Sequence, residues 1–133
     1  MTIDPKAQEL IAAATDIITA RYKPDWHVVG AALRLGDGTI VTGVHIDANV
    51  GRIAVCAEAI ALGRAVTEYG RTDVTMIAAV RMDDNLIAGL VTPCGMCREM
   101  LTDYAPQALV VLPTETGPAV VKAMDLLPNK YVR

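Results

Sequence analysis

Thr92-Pro93-Cys94-Gly95-Met96-Cys97-Arg98 is the stretch from which the rest of the chain is read. Pro93 has no amide hydrogen to give a strand and pushes the residue before it out of the helical region, so an extended piece ends here and a helix begins. That helix is expected from about Cys94 to Tyr104, which puts Cys94 and Cys97 on one face of its first turn. Two thiols so placed serve either a metal ion or a dithiol redox couple. The pair alone does not choose, because redox enzymes and structural zinc knuckles share it.

Cys56 weighs toward a metal. Residues Ala54 to Tyr69 are strong helix formers with small or aliphatic side chains, and Gly70 supplies a stop, so Cys56 lies near the start of a second helix. Two helix N-termini then aim three thiolates at one ion, and their positive ends favour the charged form of sulfur. A catalytic zinc has three protein ligands and keeps its fourth position for water. A thioredoxin-like pair would follow a first strand near the N-terminus and would have no use for Cys56; a structural zinc would want a fourth ligand, His27 or His45. Glu58, two residues after Cys56, is placed to move protons without ligating the metal. Cys-Ala-Glu followed by Pro-Cys-x-x-Cys agrees with the pattern of zinc deaminases acting on nucleobases, and the combination is far more specific than either half. Arg98 is the candidate for giving hydrogen bonds and charge to the thiolates.

Outward from these motifs, Asp4 to Arg21 carries apolar residues at helical spacing behind an Asp4 cap and Pro5. Val28–Leu35 and Thr39–Val44 are strands joined by a turn at Gly36-Asp37-Gly38. His45 to Val55 has no clean period and reads as a loop. Val74–Arg81 is a third strand, Leu86–Val91 a short extended piece, and Leu109–Leu112 an apolar strand; a last strand and short helix follow. Alternating strands and helices predict an α/β fold, a sandwich with helices covering a mixed sheet. Residues 1–133 are expected to form a single domain, with no repeat or linker.

Hydrophobic residues at 53% and charged residues at 20% describe a packed protein rather than a disordered one. A net charge of -3, no Phe and a single Trp argue against nucleic acid as a partner, since strand binding needs basic clusters and stacking rings. No export signal or membrane-spanning stretch is expected, and an odd number of cysteines fits a cytoplasmic setting.

At this point the sequence resembles the cytidine deaminase family over nearly its whole length. Val29-Gly30-Ala31-Ala32-Leu33 is similar to the family's first-strand signature, Cys56-Ala57-Glu58 and Pro93-Cys94-Gly95-Met96-Cys97-Arg98 to its two metal motifs, and Leu126-Leu127-Pro128 to its usual ending. The resemblance implies a three-layer α/β/α sandwich around a mixed five-stranded sheet, one zinc ion per subunit on Cys56, Cys94 and Cys97, water attacking the pyrimidine carbon that bears the amine, and Glu58 as proton shuttle. It also implies a homotetramer whose sites are completed by neighbouring subunits and a free nucleoside as substrate, while the physiological role stays open among pyrimidine salvage, detoxification and a step in a specialised pathway. Where the family has an Asn and a Glu for the sugar hydroxyls, this chain has His45 and Asp47. Ala57, Trp26 and His27 join them as candidate substrate contacts, His27 standing where the family often has an aromatic. Ala59 replaces an Arg that in many members bonds a thiolate; Arg98, Arg52 or Arg64 is expected to compensate. The branch acting on the peptidyl nucleoside blasticidin S is similar in lacking that Arg. Cytidine and deoxycytidine are therefore the first expected substrates and a modified cytosine nucleoside such as blasticidin S the second. A non-catalytic zinc or nucleoside binder on the same fold is the rival from another class.

Overall fold

The computed structural model describes residues 3–133. Helix α1 spans Pro5–Arg21; strands β1 (Val29–Leu35) and β2 (Ile40–Val44) follow, then a 3-10 turn at Gly51–Ile53 and helix α2 (Ala57–Tyr69). After these come β3 (Val74–Met82), β4 (Ala88–Leu90), α3 (Gly95–Tyr104), β5 (Leu109–Thr114), β6 (Gly117–Lys122) and a 3-10 turn at Ala123–Leu126. The sheet runs β2-β1-β3-β5-β6, with β3 and β5 parallel and the other pairs antiparallel. These are the five expected strands. A short sixth strand, β4, is the extended piece before Pro93, and it pairs back on β3 through Val80, Arg81 and Met82.

One edge of β3 is therefore shared. Met76 and Ile77 pair with β5, while Val80 to Met82 pair with β4. The chain leaves β4 at this fork, and Pro93 ends the pairing just before the second metal motif.

Side chains alternate across the sheet as strand geometry requires. Ala32, Met76, Ala78 and Val80 face α1, whose Ala7, Leu10, Ala14 and Ile18 form its buried stripe. Ala31, Leu33, Ile77 and Ala79 face the other way, against Ala57, Ala61 and Leu62 of α2 and Leu101 of α3. The three layers are thus α1, the sheet, and α2 with α3. Asp4 caps α1, its Oδ1 accepting from the Lys6 amide at 2.8 Å. Arg34 of β1 is buried on the α1 side, where Nη1 donates to the Lys6 carbonyl at 3.2 Å and Nη2 lies 3.2 Å from Glu9 Oε2.

Helix α2 begins three residues later than its composition predicts. Val55 pairs with Ile46 in an isolated antiparallel bridge, which holds Val55 extended and leaves Cys56 as the N-cap with φ -63° and ψ 148°. Cys94 plays the same part for α3, with φ -70° and ψ 170°. Neither cysteine caps its helix through its side chain, so both thiols stay available to a ligand.

Candidate active site

The site assembles on the α2 and α3 side of the sheet. Cys56 Sγ lies 3.5 Å from Cys94 Sγ, Cys94 Sγ lies 3.6 Å from Cys97 Sγ, and all three fall within 4.8 Å of one another. These are not disulfide distances, which are near 2 Å. A tetrahedral ion with metal–sulfur bonds of about 2.3 Å holds its sulfurs about 3.8 Å apart, so the thiols are already spaced for zinc.

Electrostatics point the same way. Burial and the negative charges of Glu58, Cys56 and Cys94 push the Cys97 thiol far up, and burial raises Cys56 as well. Burial acts upward on Cys94 too, yet the backbone amides of Cys97 and Met96 and the two neighbouring thiols outweigh it, leaving Cys94 below the ordinary thiol value. One thiolate therefore forms readily and opposes the next. A divalent cation removes that opposition, which makes this donor set fit for zinc rather than for three free thiols.

Glu58 is the second residue of α2 and is 8% exposed. Burial raises its carboxyl above the usual range, while its own backbone amide, the Cys97 thiol and the charge of His45 act downward. Leu62, Ile77, Pro93, Met100 and Leu101 close an apolar wall around it. A carboxyl so placed accepts a proton more readily than one in water, as a proton shuttle requires.

In front of Glu58 is a cavity of about 150 Å³ lined by Val29, His45, Cys56, Ala57, Glu58, Val91, Thr92 and Cys94. Pockets that swallow drug-sized ligands run to several hundred Å³, so this space holds a single ring and leaves the remainder of a larger ligand outside. A larger groove of about 570 Å³ beside Val74 and Tyr104 contains none of the three cysteines or Glu58. The chemistry decides for the smaller space.

The candidate residues take different places around it. Ala57 and His45 line the cavity. Asp47 stands behind His45, with Oδ2 3.9 Å from His45 Nε2. Trp26 and His27 lie outside the lining and brace the loop: the Trp26 carbonyl accepts from the Asp47 amide at 3.1 Å, and His27 Nδ1 donates to the His45 carbonyl at 2.9 Å. Lys23 Nζ sits 5.8 Å from the centre of the Trp26 ring.

Arg98 does not direct its guanidinium at a sulfur. Nε donates to the Pro93 carbonyl at 2.9 Å and Nη1 to the Leu126 carbonyl at 3.1 Å, so it ties the residue preceding Cys94 to the last 3-10 turn. Its reach to the metal ligands is through the backbone. Arg64 is occupied by Glu68 and by the Thr42 carbonyl, and Arg52 is exposed on the 3-10 turn before α2. The sequence did not single out Val29, Val91 or Thr92 as cavity residues. Val29, in β1, and Val91, just past β4, are apolar and have no chemical signature, and the only hint lay in the nearness of Val91 and Thr92 to Pro93.

Three thiols spaced for zinc, a buried carboxyl beside them and a one-ring cavity define a metal-dependent hydrolytic site. Residues 4–113 match the cytidine and deoxycytidylate deaminase zinc-binding region, and the chain belongs to that family. It is 45% identical over 131 residues to blasticidin-S deaminase from Bacillus cereus, an alignment covering 94% of this chain and 91% of that one. It is 38% identical over 100 residues to cytidine deaminase from Halalkalibacterium halodurans, covering 74% and 72% of the two chains. The fold superposes on the crystal structure of cytidine deaminase from Burkholderia pseudomallei with a TM-score of 0.76 and 31% identity, over 98% of this chain and 100% of that one. The protein is accordingly a zinc-dependent hydrolytic deaminase of nucleosides, and Cys56, Cys94 and Cys97 lie together as a candidate zinc site.

Proposed function

We propose that the site removes the exocyclic amine from the cytosine base of a nucleoside, with cytidine and deoxycytidine as its simplest substrates. The observation that carries this reading is the one-ring cavity that Glu58 lines together with Cys56 and Cys94, two of the three clustered thiols. Cys56, Cys94 and Cys97 would hold a zinc ion, which would supply Lewis-acid activation of the attacking water. Glu58 takes a proton from the attacking water, gives it to the ring nitrogen, and returns a proton to the departing amine. One water is consumed, the carbon–nitrogen bond breaks, and ammonia leaves behind a uracil-type base. Val29, Val91 and Ala57 hold the ring against this machinery and keep bulk water out. The sugar emerges at the mouth, beside His45.

A second reading has its own support. The 45% identity with blasticidin-S deaminase extends over nearly the whole chain, and His45 and Asp47 stand where many cytidine deaminases have Asn and Glu. A peptidyl cytosine nucleoside such as blasticidin S is the substrate on this reading. We also read the protein as a cytoplasmic homotetramer serving pyrimidine salvage, acting on free nucleosides and not on nucleic acid. Exposed Ile46, Val50 and Ile53 on the loop after β2, with Met96 at the start of α3, give an apolar rim of the kind a neighbouring subunit covers. No helix among the described residues is long and apolar enough to cross a membrane.

The test is a parallel assay of zinc-loaded protein with cytidine, deoxycytidine, cytosine and blasticidin S, following ammonia release. Turnover of the simple nucleosides supports the first reading. Turnover of blasticidin S alone supports the second, and turnover of none of them with zinc bound would overturn both.

A further inference from the structure

A Cys-x-x-Cys pair at the start of a helix suits a metal ion or a dithiol couple, and a zinc site accounts for only the first use. Cys94 is the N-cap of α3 and Cys97 its third residue, with the sulfurs 3.6 Å apart. A disulfide bond is near 2 Å long, so these sulfurs need to approach by only about 1.5 Å to be joined. Cys94 is exposed and lines the cavity. Cys97 is 3% exposed and lines the apolar space behind Glu58 instead, beside Met100 and Leu101. A small oxidant entering the cavity therefore meets Cys94 first and has Cys97 behind it.

Cys56 is as near to Cys94, at 3.5 Å, and also lines the cavity. It belongs to another helix, however, and the start of that helix is seated from two sides. Val55 is bridged to Ile46, and Gly43 of β2 lies directly under the backbone of Ala57 and Ala61. Bringing Cys56 to bonding distance moves α2 against α3, whereas Cys94 and Cys97 close within a single turn. The chain has three cysteines, so any one pairing leaves the third as a thiol.

We propose that Cys94 and Cys97 are a peroxide-sensitive modification site, closing into a reversible disulfide that releases the metal and leaves Cys56 free. The Cys94 thiolate attacks one oxygen of hydrogen peroxide, the oxygen–oxygen bond breaks, and a sulfenic acid and hydroxide form. The Cys97 thiolate then attacks the Cys94 sulfur, the sulfur–oxygen bond breaks, and a second hydroxide leaves. The two sulfurs give up two electrons in all, and the peroxide oxygens take them and, with two protons, become two waters. A metal held by three thiolates is left with one, so it departs with its charge unchanged. Reduction by a dithiol restores both thiols and the site.

The experiment treats zinc-loaded protein with a small excess of hydrogen peroxide and follows zinc release with a chromogenic chelator. The remaining thiols are then alkylated under denaturing conditions and the tryptic peptides are weighed. Cys94 and Cys97 share the peptide 82–98 and Cys56 lies on 53–64, so each pairing has its own mass. The expected result is release of zinc and a fall in titratable thiols from three to one. Peptide 82–98 is then two hydrogens lighter and unalkylated, 53–64 is alkylated, and dithiothreitol with added zinc reverses both changes. Cys56→Ser is expected to form the same disulfide. A cross-link between 53–64 and 82–98, three alkylated cysteines after treatment, or sulfinic acid on Cys94 beside a free Cys97 would each overturn the proposal. If the protein takes up no zinc, the metal reading fails separately, and the peptide map of the metal-free protein still decides whether the pair closes.

Discussion

Gly43 of β2 lies so close under the first turn of α2 that a methyl group on it would stand 2.7 Å from the Ala57 carbonyl oxygen and 2.5 Å from the Ala61 amide nitrogen. Ala57 separates Cys56 of the candidate zinc site from Glu58, so the bare Cα of Gly43 sets how deeply the turn that presents both is seated. Backbone on both sides leaves the added atom nowhere to go. Gly43→Ala is expected to lose about 2 kcal/mol of stability, the scale of overpacking in a well-packed core, and to lower kcat by displacing Glu58. Urea unfolding and steady-state kinetics on the same preparation check it; an unchanged kcat in a destabilised protein would show that the turn shifts without carrying Glu58.

Glu58→Gln removes the group that carries protons and leaves the thiols untouched. Zinc content is expected to match the wild type, while kcat falls by roughly a hundredfold to ten-thousandfold. Metal analysis beside turnover separates this from a loss of the site. Comparable turnover in the two proteins would remove Glu58 from the mechanism.

Arg98 links Pro93 to Leu126, and Pro93 directly precedes Cys94. Arg98→Ala should therefore loosen the second ligand motif, and zinc affinity is expected to fall by roughly ten- to a hundredfold. Arg98→Lys, with one ammonium in place of a fork, recovers part of the loss. Competition with a chromogenic chelator gives both numbers.

Far from the cysteines in sequence, the turn between β1 and β2 has its own titration. The Thr39 backbone amide, then the Thr39 side chain and the Arg71 guanidinium, hold the Asp37 carboxyl down at about 2. A depressed carboxylate contributes stability that is present above its unfolded value, near 4, and is lost as the pH falls through its folded value. Asp37→Asn removes that contribution. Denaturation midpoints taken between about pH 4 and about pH 2 should therefore fall less steeply for the variant than for the wild type. Parallel curves would show that the turn does not couple to folding.

What could be read from sequence follows from where the information sits. The zinc triad was legible because cysteines are few and their chemistry is specific at that spacing. Helix α1 was legible because Leu10, Ala14 and Ile18 repeat on one face. The start of α2 was not, since Ala54 and Cys56 have neighbours suited to helix and only the distant pairing of Val55 with Ile46 holds the backbone extended. Arg98 was singled out for its position beside Cys97, but its partners, Pro93 and Leu126, are carbonyls brought together by the fold. Arg34 is likewise placed by the fold, with α1 covering it through the Lys6 carbonyl and Glu9. In each case the decisive contact joins segments that no local pattern connects.

Cys56 and Cys94 are 38 residues apart along the chain and 3.5 Å apart in space. A zinc ion between them closes a loop that contains α2, β3 and β4, which is the topological effect of a disulfide made with a bond that exchange can undo. By the chain-entropy argument for cross-links, closing a loop of this length restrains the unfolded chain by about 4 kcal/mol. The staple holds only while metal is bound, so the folded lifetime of the protein is coupled to the free zinc around it. Removal of zinc would take away the catalytic ion and the cross-link in the same event.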